Sequence, residues 1–178
     1  TFFMKFFILN QLNKLHAIWN PHVYHGWGKT KRYFEGWYYK IVSKDQNNAF
    51  AIIPGIAMDE HGNKQSFIQV LDGKNHEAVY HKFDSNMFLP TPKEHNLSIG
   101  NNIFTYDNVL LDLPNLKGQL VFTNQHPWSN SFFSPGIMGP YSFIPFMEYL
   151  NFDTFQPQDL KILVHHFSFC ICKWDLSK

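Results

Sequence analysis

Tyr33-Phe34-Glu35-Gly36-Trp37-Tyr38-Tyr39-Lys40 is the stretch from which the fold is read. It is rich in aromatic residues, holds no proline and is followed by Ile41-Val42-Ser43, so it has the length and composition of a β-strand. In a strand, alternate side chains share a face. Glu35 therefore lies with Tyr33, Trp37, Tyr39 and Ile41, and Phe34, Tyr38, Lys40 and Val42 lie opposite. Working outward, Ala49–Met58 reads as the next strand, and Asp59-Glu60-His61-Gly62-Asn63-Lys64 is a turn that returns the chain along Ser66–Leu71. Asp72-Gly73-Lys74-Asn75 is a second turn, before a strand over His76–Phe83. Leu97–Ile99, Ile103–Tyr106, Val109–Leu113 and Leu116–Thr123 continue the rhythm. Short strands joined by tight turns predict an all-β antiparallel meander, a barrel or a sandwich.

The two ends depart from this pattern. Residues 4–18 carry a helical repeat with Phe7, Leu12, Leu15 and Ile18 on one side, and Asn20-Pro21 ends it. The expected organisation is an N-terminal helical extension over residues 1–19, a β domain over 20–149 and a divergent tail over 150–178. The tail's apolar run, Leu163 to Cys172, has no obvious partner in the sequence. The barrel or sandwich is accordingly expected to be incomplete.

Composition narrows the function. With 178 residues the chain is at most one ordinary domain or part of a larger one. Lys plus Arg number 15 against 14 Asp plus Glu, which lacks the one-signed basic surface of a nucleic-acid binder. Aromatics make up 18% of the residues, including 19 Phe and 5 Trp, enough ring surface to fill a core or to enclose a small apolar molecule. Cys170 and Cys172 are too close for a good disulfide and too few for a metal site, and the ten His are scattered, so no metal or cofactor is expected. The opening run Thr1–Leu9 is shorter than a membrane span and lacks a secretory cleavage pattern, so a cytoplasmic location is expected.

Glu35 is the residue with the most chemistry in its pattern. A carboxyl on a face of rings and aliphatics is out of place as a solvated charge, and burial there favours its protonated form. A protonated carboxyl can act as a general acid. A paired Glu, neutralised by Lys31, Arg32 or Lys40, fits the same pattern. Glu148 alternates with Phe146 and Ile144 and is a second carboxyl of the same kind. His126-Pro127-Trp128 places an imidazole beside a ring in a loop, where it packs or relays a proton. Pro54 in Ile53-Pro54-Gly55-Ile56 marks a strand edge or bulge. No nucleophile elbow, phosphate loop or dinucleotide fingerprint is present.

Four stretches taken together resemble the tocopherol cyclase family. They are Asn20-Pro21-His22-Val23-Tyr24-His25-Gly26 with Tyr33–Lys40; Ile53-Pro54-Gly55-Ile56 with Ser66-Phe67-Ile68-Gln69; His126-Pro127-Trp128; and Pro135-Gly136-Ile137-Met138-Gly139-Pro140-Tyr141 with Pro145-Phe146-Met147-Glu148. The resemblance spans residues 18–149 and stops at Tyr149, as in a truncated or frameshifted copy. It implies a lipocalin-like β-barrel and an isomerase chemistry, the acid-catalysed closure of a chromanol ring from a prenylated quinol. On that reading Glu35 is the proton donor, with Glu148 second. Tyr33, Trp37, Tyr39, Gln69, His126 and Trp128 line the substrate, and the faces of Trp37, Tyr39 and Trp128 stabilise the cation. The same fold without turnover would be a carrier of an apolar isoprenoid or quinone, and an inactive fragment would do neither. A prenyl ligand also implies contact with a membrane surface.

Overall fold

The computed structural model describes residues 2–19, 23–43, 45, 47–122, 125–126, 130–131, 134–135, 150–155 and 160–169. One helix, α1 (Phe2–Trp19), precedes the strands. These are β1 (Tyr33–Ser43), β2 (Ala49–Met58), β3 (Lys64–Asp72), β4 (Glu77–Asp84), β5 (Phe88–Pro90), β6 (Asn96–Ile99), β7 (Asn102–Thr105), β8 (Asn108–Asp112) and β9 (Lys117–Val121). They continue as β10 (Gln125–His126), β11 (Asn130–Ser131), β12 (Ser134–Pro135), β13 (Leu150–Phe155) and β14 (Leu160–Phe169). Among the described residues every pairing is antiparallel. The all-β expectation with an N-terminal helix therefore holds.

Strands β10, β13, β14, β1, β2, β3 and β4 form a seven-stranded sheet in that order, and β5 to β9 form a five-stranded meander. Among the described residues the larger sheet is open, ending at β10 and β4, so no barrel is closed. The two sheets share one core. Tyr33, Trp37, Tyr39, Ile52, Ile56 and Ile68 of the first pack with Phe88, Leu97, Ile99, Phe104, Val109 and Leu111 of the second. Turn chemistry sets the strand ends. Asp59 accepts from the backbone N–H of His61 and Asn63, and Asp72 from those of Lys74 and Asn75.

Two expectations change. The tail's apolar run was expected to lack a partner, but β14 pairs along β1 from Phe34 opposite Phe169 to Ser43 opposite Leu160. β1 is thereby an interior strand. Pro54 was expected at an edge or bulge, but it lies in β2, between β1 and β3. Proline donates no backbone hydrogen bond, and the β1–β2 register has no partner at Trp37 and Tyr38, which stand opposite Pro54 and Ile53. In α1, Phe7 and Leu12 are 61% and 57% exposed.

Gly55 fixes how closely β2 approaches β1. A Cβ there would stand 2.5 Å from the carbonyl oxygen of Glu35 and 2.6 Å from the Phe67 ring. Only glycine admits this contact, which holds the Glu35 backbone in place.

Candidate functional site

The alternation read from β1 is the alternation observed. Tyr33, Glu35, Trp37 and Tyr39 are buried, Phe34 and Tyr38 are half-buried, and Lys40 is exposed on the other face. Glu35 is completely buried at 0% exposure, inside a core made largely of rings. Its neighbours are not the cations that the sequence suggested. Arg32 lies 3.5 Å from Glu60, and Lys40 projects to the opposite side. The partner is His25, ten residues upstream in the segment between α1 and β1.

The Glu35 carboxyl accepts from the Tyr33 hydroxyl at Oε2 and from the His25 backbone N–H, 3.1 Å from both oxygens. His25 Nδ1 lies 3.2 Å from Oε1, and His25 Nε2 lies 3.1 Å from the Ala17 carbonyl of α1. These contacts place the proton count. A carbonyl only accepts, so Nε2 carries a hydrogen. The Nδ1–Oε1 bond then requires one more proton, on either the imidazole or the carboxyl. Either way, His25 and Glu35 together hold one shared proton in a buried, low-dielectric place. Gly26 lets the loop lie this close, because a Cβ there would collide with the rings of Tyr24 and Tyr33.

A sleeve of rings surrounds the pair. Tyr24 packs edge-on against Trp27, Tyr33 and Phe88, at centroid distances of 5.2, 6.3 and 5.2 Å. Burial pushes the Tyr24 phenol well above its ordinary range, and the Glu35 charge adds to this. The indole Nε1–H of Trp27 is buried and, among the described residues, has no hydrogen-bond partner, although the Trp27 side chain as a whole is only half-buried. An unpaired buried donor costs about 1–3 kcal/mol. It is the kind of group that an oxygen of a bound molecule would satisfy.

Further along the same face, roughly 13 Å from Glu35 by strand rise, the Tyr39 hydroxyl lies 2.5 Å from His95 Nε2, both buried. Burial holds the Tyr39 phenol far above its ordinary range. It therefore keeps its proton within this hydrogen-bonded pair. Trp37 bridges the two polar spots, 5.6 Å from His95 and 6.3 Å from Phe88 between centroids.

The residues expected from the sequence separate accordingly. Glu35, Tyr33, Trp37 and Tyr39 come together on one inner face. Gln69 does not join them, because it alternates with Phe67, which stacks on Phe34 and Tyr80 on the outer face. His126 belongs to β10, at the edge of the larger sheet. Trp128 and Glu148 lie outside the described residues. Sequence reasoning missed His25, Tyr24, Trp27 and His95 as members of the site. The only signal for His25 was its place in a Tyr-His-Gly segment just before the strand. Among the described residues no three His, Cys, Asp or Glu side chains gather as metal ligands. Nor is any described helix long and apolar enough to cross a membrane. No family model, curated protein or solved structure matches this chain.

Proposed function

We propose that this chain acts on, or forms part of a protein that acts on, a prenylated quinol, protonating an isoprenoid double bond and closing a chromanol ring as tocopherol cyclases do. One observation carries the reading. A fully buried carboxyl, Glu35, lies 3.2 Å from His25 Nδ1 on a strand face otherwise made of aromatic rings. The resemblance of the Tyr33–Lys40 motif to that family adds to it.

The chemistry balances without a cofactor. The carboxyl gives its proton to the less substituted alkene carbon, which leaves a tertiary cation on the other. The phenol oxygen attacks that cation, the C–O bond forms, and the phenol proton returns to the carboxylate. Product and substrate are isomers. Rings such as Tyr33, Trp37 and Tyr39 lower the energy of the cation, and a dry interior keeps water from capturing it. His25 would hold the returned proton, and the Trp27 N–H would take a quinol oxygen. Glu35→Gln keeps the shape and removes the transferable proton. Chromanol formation from a short-chain prenylated quinol, followed by chromatography, should fall by about a thousandfold, since positioned proton transfer is worth roughly 10²–10⁴. Unchanged turnover would exclude Glu35 as the donor.

A second reading is favoured by a specific feature, the engagement of both Glu35 oxygens by Tyr33 and His25. On that reading the pair is a structural latch, and the protein binds an apolar isoprenoid or quinone without changing it. Recovery of the quinol intact from the complex distinguishes this from catalysis.

A further inference from the structure

The chemistry at Glu35 leaves a second buried polar pair unused, Tyr39 with His95. His95 belongs to the loop between β5 and β6, in which Lys93 and Glu94 are exposed. The loop is tied by its own hydrogen bonds. The Thr91 N–H donates to the Asn96 carbonyl at 2.8 Å, and the Thr91 hydroxyl and the Asn96 N–H donate to the Glu94 carbonyl at 2.9 and 3.0 Å. This turn directs the imidazole inward, where its Nε2 meets the Tyr39 hydroxyl at 2.5 Å. The result is a phenol set against a base in a low-dielectric interior.

Aromatic rings connect this pair to the outside. Trp37 lies 5.6 Å from His95 and 6.3 Å from Phe88 between centroids. Phe88 lies 5.2 Å from Tyr24, and Tyr24 lies 5.2 Å from Trp27. Trp27 is only half-buried, so the series reaches solvent. Indole and phenol are among the side chains most readily oxidised by one electron, and Trp27, Tyr24 and Trp37 stand along this route to Tyr39. A phenol that loses an electron becomes a strong acid and must release its proton. Burial keeps the Tyr39 proton in place beforehand, so proton and electron have to leave together, and the imidazole is in position to take the proton.

We infer that Tyr39 and His95 form a proton-coupled redox pair, which holds a one-electron oxidising equivalent delivered by an oxygen-centred radical of the peroxyl class. The electron leaves Tyr39 and passes along Trp37, Tyr24 and Trp27 to the peroxyl radical. The phenol proton crosses to His95 Nε2, the bare nitrogen of an imidazole that carries its own hydrogen on Nδ1. The reduced peroxyl takes a proton from water and departs as a hydroperoxide. A neutral phenoxyl radical remains beside an imidazolium. The inference does not rest on the Glu35 chemistry, because it needs neither a quinol nor a proton from that carboxyl.

The test is flash oxidation of the purified chain by a photogenerated ruthenium(III) polypyridyl complex, a one-electron oxidant, read by high-field electron paramagnetic resonance. The unaltered chain should give a tyrosyl radical that outlives that of free tyrosine. Its g tensor should show a hydrogen bond to the phenoxyl oxygen, and it should form more slowly in deuterium oxide. Tyr39→Phe should remove this signal and leave the short-lived one of exposed phenols such as Tyr80, which is 49% exposed. His95→Gln offers the phenol an acceptor that is not a base, and the Tyr39 radical should then form about a hundredfold more slowly, the loss of a positioned proton acceptor. Short-lived radicals alone in the unaltered chain overturn the inference without recourse to any variant, and so does formation at the same rate in deuterium oxide. A long-lived radical that persists in Tyr39→Phe and is lost in Tyr33→Phe also overturns it, since the radical would then belong to the phenol on Glu35.

Discussion

Replacing Glu35 by Gln and by Leu separates the proton from the packing. Among the described residues the Tyr33 hydroxyl, the His25 backbone N–H and His25 Nδ1 are directed at the carboxyl. If one proton is shared between Nδ1 and the carboxyl, Gln reproduces the protonated acid. Its carbonyl oxygen accepts from Tyr33 and from the His25 N–H, and its amide N–H donates to the Nδ1 lone pair, with Nε2–H still on Ala17. All three bonds survive with loss of charge assistance, at a cost of about 1 kcal/mol. For a chain of this size that is a fall in melting temperature of about 2–4 °C. Leu fills a similar volume but leaves the Tyr33 hydroxyl, the His25 N–H and Nδ1 buried and unpaired. At about 1–3 kcal/mol for each abandoned group, moderated by relaxation, the cost is about 3–5 kcal/mol, or about 10 °C or more. Circular dichroism melts of the three proteins at neutral pH measure both shifts. A Glu35→Gln protein that melts as low as Glu35→Leu would refute the shared-proton account, because the site would then require a full carboxylate.

Further outcomes follow from the same geometry. Gly55→Ala should destabilise by about 2–4 kcal/mol, because the new Cβ meets the Glu35 carbonyl oxygen at 2.5 Å and neither strand can yield cheaply; an unchanged urea midpoint would contradict the register. Trp27→Phe keeps the ring and removes only the N–H, so binding of a prenylated quinone should weaken about fivefold to tenfold while binding of an oxygen-free prenylated benzene stays level; equal losses for the two ligands would deny that the N–H meets an oxygen. The buried phenols of Tyr24 and Tyr39 titrate above their ordinary value of 10.0 in the fold. The unfolded chain therefore loses those protons first as pH rises, and stability should be level below about pH 10 and fall above it, by about 1.4 kcal/mol per unit for each phenol. Absorbance at the phenolate band should show these two residues ionising only as the far-ultraviolet signal collapses; ionisation within an intact fold would contradict their burial.

The period of two in Tyr33–Lys40 was enough to put Glu35, Trp37 and Tyr39 on one face, because a strand leaves a side chain only two sides to choose from. Turn residues such as Asp59, Gly62 and Asp72 likewise marked where strands end, since their hydrogen bonds are made within a few residues. What lay beyond local chemistry was which groups meet across the fold. His25 reaches Glu35 only because Gly26 lets the loop close over Tyr33. His95 meets Tyr39 only because the second sheet stacks on the first. Gln69 turned to the outer face because β3 pairs with β2 in a register that no single strand encodes. β14 covers β1 through long-range pairing, so its apolar run looked partnerless in isolation. Helix α1 shows the same limit from the other side. Its repeat was legible, but how the helix seats on the protein depends on contacts such as that of the Ala17 carbonyl with His25, which comes later in the chain. Local periodicity thus determined the faces, and tertiary contact decided which of them are inside and what the buried carboxyl holds on to.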